Sequence, residues 1–358
     1  MLAVVAAAIP TACGGTTTRT EHLPATESAR TGTAPQLRSG PVRVHCFSRL
    51  ERCGFPGPNN TGVADCSGLA NSSGPKTITR PETLADTNIT GSVTVASSGV
   101  MLKHDCVTDN GREAEASAAI ALESNASNFT ITETTVRGEN AAAGSIEEAL
   151  RNNYSAPGAV ATRDRIENCA ECIHQAWTLD DSYVISNGRA RAEESGAAHA
   201  EVWWYSNNTI VANHDTLLNP SKQTAVIFGE SGGGKCVNHE TVINSLIAGG
   251  GYMFYFCQNN SGNENSSIEI RKNRFARRVC TIEELPNWEG RGGFGCAPEG
   301  GGYFGYGKGE GAYFPRGGFF GVLKESEGLF NRGAGWEGNF WDNNLEKQPE
   351  QAHCPRCR

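Results

Sequence analysis

Short apolar runs, three to five residues long, follow one another along this chain at intervals too brief for amphipathic helices and too regular for a mixed sheet. Ala119-Ile120-Ala121-Leu122 leads to Asn128-Phe129-Thr130-Ile131 and then to Thr134-Thr135-Val136. The same shape, an apolar strand, a small or polar break, a second strand, a polar pair and a third short strand, recurs through Ala200 to Leu217 and Thr224 to Ile247. The last apolar residue of successive units falls at Val107, Val136, Ile166, Leu217, Leu246 and Phe275, separated by 29, 30, 51, 29 and 29 residues. The interval of 51 accommodates one extra short unit, Ile173 to Ile185, and an insertion. A unit of three short strands cannot bury its apolar edge alone, whereas parallel stacking of successive units encloses one continuous interior. The pattern therefore predicts an all-β chain folded as a single-stranded right-handed parallel β-helix over residues 41–345. Glu113 to Ala121 is rich in Ala, but Gly and Asn interrupt such stretches too often for a βαβ sheet.

Composition agrees: 43 Gly and 3 Met suit a turn-rich β protein. A net charge of −8 lacks the basic surface that counter-ion release on nucleic acid requires, so nucleic acid is not an expected partner. Thirteen cysteines, mostly far apart, fit an oxidising compartment better than zinc sites. The apolar run Leu2 to Ile9, followed by Pro10-Thr11-Ala12-Cys13-Gly14-Gly15, resembles the end of a bacterial lipoprotein signal, with Cys13 as the lipidated residue; a cleaved ordinary signal is the alternative. Residues 1–13 are thus expected to be a signal segment and 14–40 a disordered tether. The Gly-, Tyr- and Phe-rich stretch 289–321 reads as a loop leaving the coils, and 346–358 as a Cys-containing tail. The expected location is extracellular or on the cell surface, with the membrane reached only through a lipid, since no second run has the ~18 apolar residues of a membrane span.

Three stretches carry a resemblance to a known group: Cys53-Gly54-Phe55-Pro56 with Asn60-Thr61-Gly62-Val63, Ala248-Gly249-Gly250-Gly251-Tyr252, and Trp336-Glu337-Gly338-Asn339-Phe340-Trp341-Asp342. Together they resemble exported bacterial right-handed β-helix proteins of the pectin-lyase-like superfamily over about Cys46 to Asp342. The chain departs from that group at Ala64-Asp65-Cys66 and in its Gly-rich insertion. The resemblance implies the fold and leaves the chemistry open, because that superfamily holds lyases, hydrolases, esterases, epimerases and proteins without known catalysis.

In catalytic β-helices the groove usually lies along one parallel sheet, and the first strand of each unit is the candidate here. In Ala200 to Tyr205, alternation with Val202 and Trp204 inward would send Glu201, Trp203 and Tyr205 outward, an acid beside two aromatic faces. His199 precedes this strand; the neighbouring unit carries His174 and Trp177, with Asp180 and Asp181 opening its next strand. Paired carboxylates suit glycoside hydrolysis, and His with Glu suits proton transfer. The same residues are also compatible with solvated carboxylates and a sheet merely covered by aromatics. Arg151, Arg163 and Arg165 are candidates for a basic patch that, like calcium, would let an acidic polysaccharide approach; no other cofactor is expected. His214-Asp215 and His239-Glu240 fall at matching places in consecutive units and read as a structural ladder. Gly229-Glu230-Ser231-Gly232-Gly233-Gly234-Lys235-Cys236 nearly spells a phosphate loop, yet Cys follows Lys where Ser or Thr must hold magnesium, and a strand follows where a helix is needed, so nucleotide binding is not expected. Cys236 with Cys257 and Cys280 with Cys296 are candidate disulfides, and Cys169 with Cys172 and Cys354 with Cys357 have redox or metal spacing without a thioredoxin-like context. The functional expectation is a polysaccharide lyase or glycoside hydrolase. The alternative is a non-catalytic adhesin or a glycan-binding or structural rod.

Overall fold

The computed structural model describes residues 46–342 apart from 110–117, 140–145, 153–155, 188–200, 207–208, 220–224, 230–238, 250–251, 256–266 and 277–334. Three parallel sheets form a β-helix solenoid, each turn of the chain adding one strand to each sheet. The first sheet has eight described strands, from Lys76–Ile78 to Tyr252–Tyr255; the second has nine, from Thr83–Ala85 to Gly335–Glu337; the third has ten, from Ala70–Ser73 to Phe340–Trp341. Expected signal, tether, Gly-rich loop and Cys-containing tail lie outside the described residues, as do Cys13, Cys236, Cys257, Cys280, Cys296, Cys354 and Cys357.

Stacking aligns like with like. On the third sheet Ile89, Val107, Val136, Ile166, Val184, Leu217, Ile247 and Phe275 share one inward column, all fully buried. The extra short coil is therefore the one ending at Val184. The repeat position assigned to Leu246 belongs to Ile247; Leu246 instead packs outside the sheet with Tyr183, Leu218 and Phe55. Adjacent apolar residues made the two indistinguishable by spacing alone.

The turn from the second sheet to the third is the most regular feature. Asp86, His104, Glu133, Arg163, Asp181, His214, Asn244, Lys272 and Gly338 occupy it, all with positive φ. This left-handed conformation costs an L-residue roughly 1–2 kcal/mol, and a hydrogen-bond ladder beside it compensates. After the first coil, the next residue in each turn is Asp105, Thr134, Asp164, Ser182, Asp215, Ser245, Asn273 or Asn339. The side-chain oxygen of each accepts from the backbone N–H of its counterpart one coil earlier, at 2.7 to 3.3 Å. Carboxyl and hydroxyl rungs alternate, so no two ladder carboxyls stand on adjacent coils.

Residues 46–69 run outside the third sheet as a strap, against the direction of coil growth. At one end Asp342 accepts from Cys46 N and Phe47 N at 3.1 and 2.9 Å, and Phe55 stacks on His214 with ring centroids 5.9 Å apart. Further along, Gly62 N donates to Arg163 O. A Cβ at Gly62 would stand 2.5 Å from Thr135 Oγ1, and its φ of +60 is a second reason for glycine there. The other end is tied by the Cys66–Cys106 disulfide. Cys46–Cys53 closes the first turn of the strap. Two of the stretches behind the family resemblance, around Cys53 to Val63 and Trp336 to Asp342, thus supply these anchors and the final coil.

Candidate active site on the first sheet

The strand Trp203–Tyr205 corrects the expected alternation. Trp203 aligns with Ile173 and Ile227 in the inward column and is fully buried, its Nε1 donating to Gln175 O at 2.8 Å. Tyr205 is also fully buried, its hydroxyl donating to Glu240 Oε2 at 3.1 Å, and Trp177 is buried with its Nε1 donating to His174 O. None of the three can stack on a sugar. Trp204 is the half-exposed ring, in the outward column of Arg151, His174 and Phe228.

Beside that column stands one that sequence reasoning found only in part. Glu148 aligns with Glu171, and the register of Ile173 on Trp203, with Cys172 N donating to Glu201 O, sets Glu171 level with Glu201. Three glutamates therefore stack on consecutive coils at the strand spacing of about 4.8 Å. Each stands two residues before an inward side chain and three before an outward one: Glu148-Ala149-Leu150-Arg151, Glu171-Cys172-Ile173-His174, Glu201-Val202-Trp203-Trp204. That shared offset was the available signal for Glu148 and Glu171.

The three acids differ in environment. Arg151 donates from Nε and Nη2 to both oxygens of Glu148, and His174 Nδ1 lies 3.4 Å from Glu148 Oε1. These partners outweigh burial and hold the Glu148 carboxyl below its ordinary range. Glu171 is pushed well above it, by desolvation first and then by Glu201, Glu147 and Glu148. Glu201 is fully buried. The His174 and Trp204 rings meet at 4.2 Å.

Glu148, Glu171 and His174 each offer a ligand atom within 4.8 Å of the others. A nitrogen in that set suits zinc-like ions better than calcium. Any cation would have to displace Arg151 from Glu148, so we assign none. Calcium as a bridge to an acidic glycan finds no cluster of three carboxylates among the described residues.

Other expected residues sit elsewhere. Asp180 ends a second-sheet strand and accepts from Asn213 Nδ2 at 2.7 Å. Asp181 is in the left-handed turn, paired with His214. Arg163 occupies the same turn one coil earlier and pairs with Glu133 at 2.9 Å, and Arg165 on the third sheet binds Glu167 at 2.8 Å. Arg151 therefore does not share a patch with Arg163 and Arg165, and Asp180 and Asp181 do not share a sheet with Glu201. His214 does not match His239, which aligns with Thr209 instead. His199 lies outside the described residues. No family model, no curated protein and no solved structure matches the chain.

Proposed function

We propose that this chain is an exported or lipid-anchored carbohydrate-active protein, a distant member of the right-handed pectin-lyase-like group, that hydrolyses a glycan on the outer face of its first sheet. The observation that carries the reading is the column Glu148, Glu171, Glu201. Like charges directly opposite across strands are destabilising, and the turn ladder of the same protein never puts carboxyls on adjacent coils. Pairing with Arg151 and the nearby His174 accounts for Glu148; Glu171, set between two carboxyls, is the position that proton chemistry explains.

Neighbouring groups whose environments separate their proton affinities mark an acid and its partner. Glu171 holds its proton and donates it to the leaving glycosidic oxygen. His174 and Arg151 together keep Glu148 ionised, and His174, whose Nδ1 lies 3.4 Å from Glu148 Oε1, is left with Nε2 to take a proton from the attacking water. Trp204, half-exposed beside the His174 ring, offers the aromatic face on which a sugar ring stacks. Hydrolysis is preferred over elimination because Arg151, the cation that the described residues place on this face, is engaged with Glu148 rather than set to neutralise a uronate.

Glu171→Gln is expected to lower turnover of a susceptible glycan by roughly 10²–10⁴-fold with the fold retained. Incubation with neutral and acidic polysaccharides should release reducing ends without absorbance from unsaturated uronates. That absorbance would identify a lyase. Retention of glycan without any product, lost in Trp204→Ala, would identify a non-catalytic glycan-binding rod, a reading that the outward Trp204 also suits.

A further inference from the structure

Glu171 lies inside a disulfide ring. Cys169 and Cys172 are bridged, and their Cα atoms are 5.0 Å apart, whereas three residues of extended strand span about 10 Å. The backbone therefore bends sharply through Ala170 and Glu171. Both cysteines are fully buried, and Ser186 Oγ donates to Ala170 O at 2.5 Å, fastening the inner side of the bend to the next coil. The preceding coil runs in register, with Ile146 opposite Cys169 and Glu148 opposite Glu171, but carries Ile146 and Ala149 where the bridge stands. The coils differ in what their glutamates face. Glu148 is at the end of the column, against Ala118, and has Arg151. Glu171 is in the middle, with a carboxyl on either side.

We infer that the Cys169–Cys172 bridge is a positioning device, which holds the Glu171 carboxyl at the tip of the bend between Glu148 and Glu201 against the crowding of the column. Without the covalent tie, the cheapest relief is for residues 170–171 to swing outward, taking the carboxyl into water and away from His174. The bridge is needed at this coil because the central acid faces a carboxyl on either side, whereas Glu148, at the end of the column, is held by Arg151. The inference rests on the proposed role of Glu171 for its consequence in turnover, while the position of the carboxyl can be measured without turnover.

The test is Cys169→Ala/Cys172→Ala in the full chain, with ¹³C-carboxyl-labelled glutamate and Glu171 assigned by loss of its signal in Glu171→Gln. The midpoint of Glu171 is expected to fall by about one pH unit or more toward the ordinary carboxylate value. The alkaline limb of any turnover profile should fall with it, while KM, set by Trp204, changes less than about twofold. Cys46→Ala/Cys53→Ala, on the strap, should leave the Glu171 midpoint where it is. If the double variant does not fold, a dithiol added to the native protein reduces the bridge to two thiols as it is itself oxidised, and mass spectrometric mapping identifies the samples in which this bridge has opened. An unchanged midpoint once the bridge is absent or open overturns the inference, whether or not any glycan is cleaved; a shifted midpoint with no turnover from any substrate upholds it and overturns the hydrolase reading instead.

Discussion

The turn ladder can be improved by a substitution that the protein already uses elsewhere in it. Asp164 and Asp215 are fully buried. One oxygen of each accepts a ladder N–H at 2.7 Å, and the other, Oδ2, makes no hydrogen bond of good geometry, the carboxyl's remaining neighbour being the backbone N–H of Thr162 or Asn213. Burial pushes both carboxyls well above their ordinary value of 3.8. At Asn273 and Asn339 the same position keeps the accepting oxygen and adds a donor: their Nδ2 atoms donate at 2.8 Å to Val242 O and Ile270 O. The register puts Ile131 and Leu179 in the corresponding places for Asp164 and Asp215. Asp164→Asn and Asp215→Asn should each therefore stabilise the fold at neutral pH.

The gain has two parts. Satisfying a buried polar atom is worth about 1–3 kcal/mol. The second part depends on pH: a carboxyl whose folded value is raised binds its proton more tightly when folded, so its contribution to stability is greatest below pH 3.8 and is lost as pH rises toward the folded value. Asparagine escapes that loss. At pH 7 each variant should gain at least about 1 kcal/mol, which for a domain of this size raises Tm by about 2–4 °C, and the gain should shrink by pH 3.5. Thermal unfolding followed by circular dichroism at both values is sufficient. A lower Tm at pH 7, or a difference independent of pH, would mean that the aspartates are ionised in the fold and that charge-assisted bonds from the ladder amides outweigh their burial.

Three further outcomes follow from the same packing. Trp203→Ala opens the interior and should cost roughly 3–5 kcal/mol, whereas Trp204→Ala should leave unfolding nearly unchanged and weaken retention on glycan columns; the reverse pairing would restore the alternation first expected for this strand. Glu240, buried against the Tyr205 hydroxyl, has a carboxyl pushed up to about 8 by desolvation, so its contribution is full below about pH 4.5 and lost as pH rises to 8; Glu240→Gln should flatten stability over that window, as denaturant midpoints would show. Opening Cys66–Cys106, which closes a separation of 40 residues, should lower stability by up to about 4 kcal/mol on loop entropy alone, measured as the midpoint of Cys66→Ser/Cys106→Ser in urea.

The coils were legible in the sequence because each strand is short and each unit repeats the same order of apolar and small residues, so the period appeared before any geometry was known. The orientation of Ala200 to Tyr205 was not, because Val202, Trp203, Trp204 and Tyr205 are all apolar or aromatic and alternation has nothing polar to anchor it. The neighbouring coil supplies the anchor: Ile173 is followed by His174, and stacking transfers that inward–outward pair to Trp203 and Trp204. The left-handed turns were hidden for a related reason. Eight of the nine residues that adopt them are not glycine, and the ladder that sustains them is visible only when the residue after each turn is compared across coils.

That comparison also separates structure from chemistry. In a stacked solenoid, side chains at one offset meet at about 4.8 Å, so the choice of residues down a column records what the fold requires there. The turn ladder requires an acceptor, and Asp, Ser, Thr and Asn exchange freely in it while keeping carboxyls on alternate coils. The Glu148, Glu171, Glu201 column keeps one residue type through three coils, at an offset where coils on either side have Ala118 and Ala225. Alanine meets the packing requirement at that offset, so three adjacent glutamates answer to something other than packing. The same contrast sets the order of experiments: replacing all three with alanine should leave a folded rod, and if it instead unfolds, the column is part of the scaffold and the active-site reading falls with it.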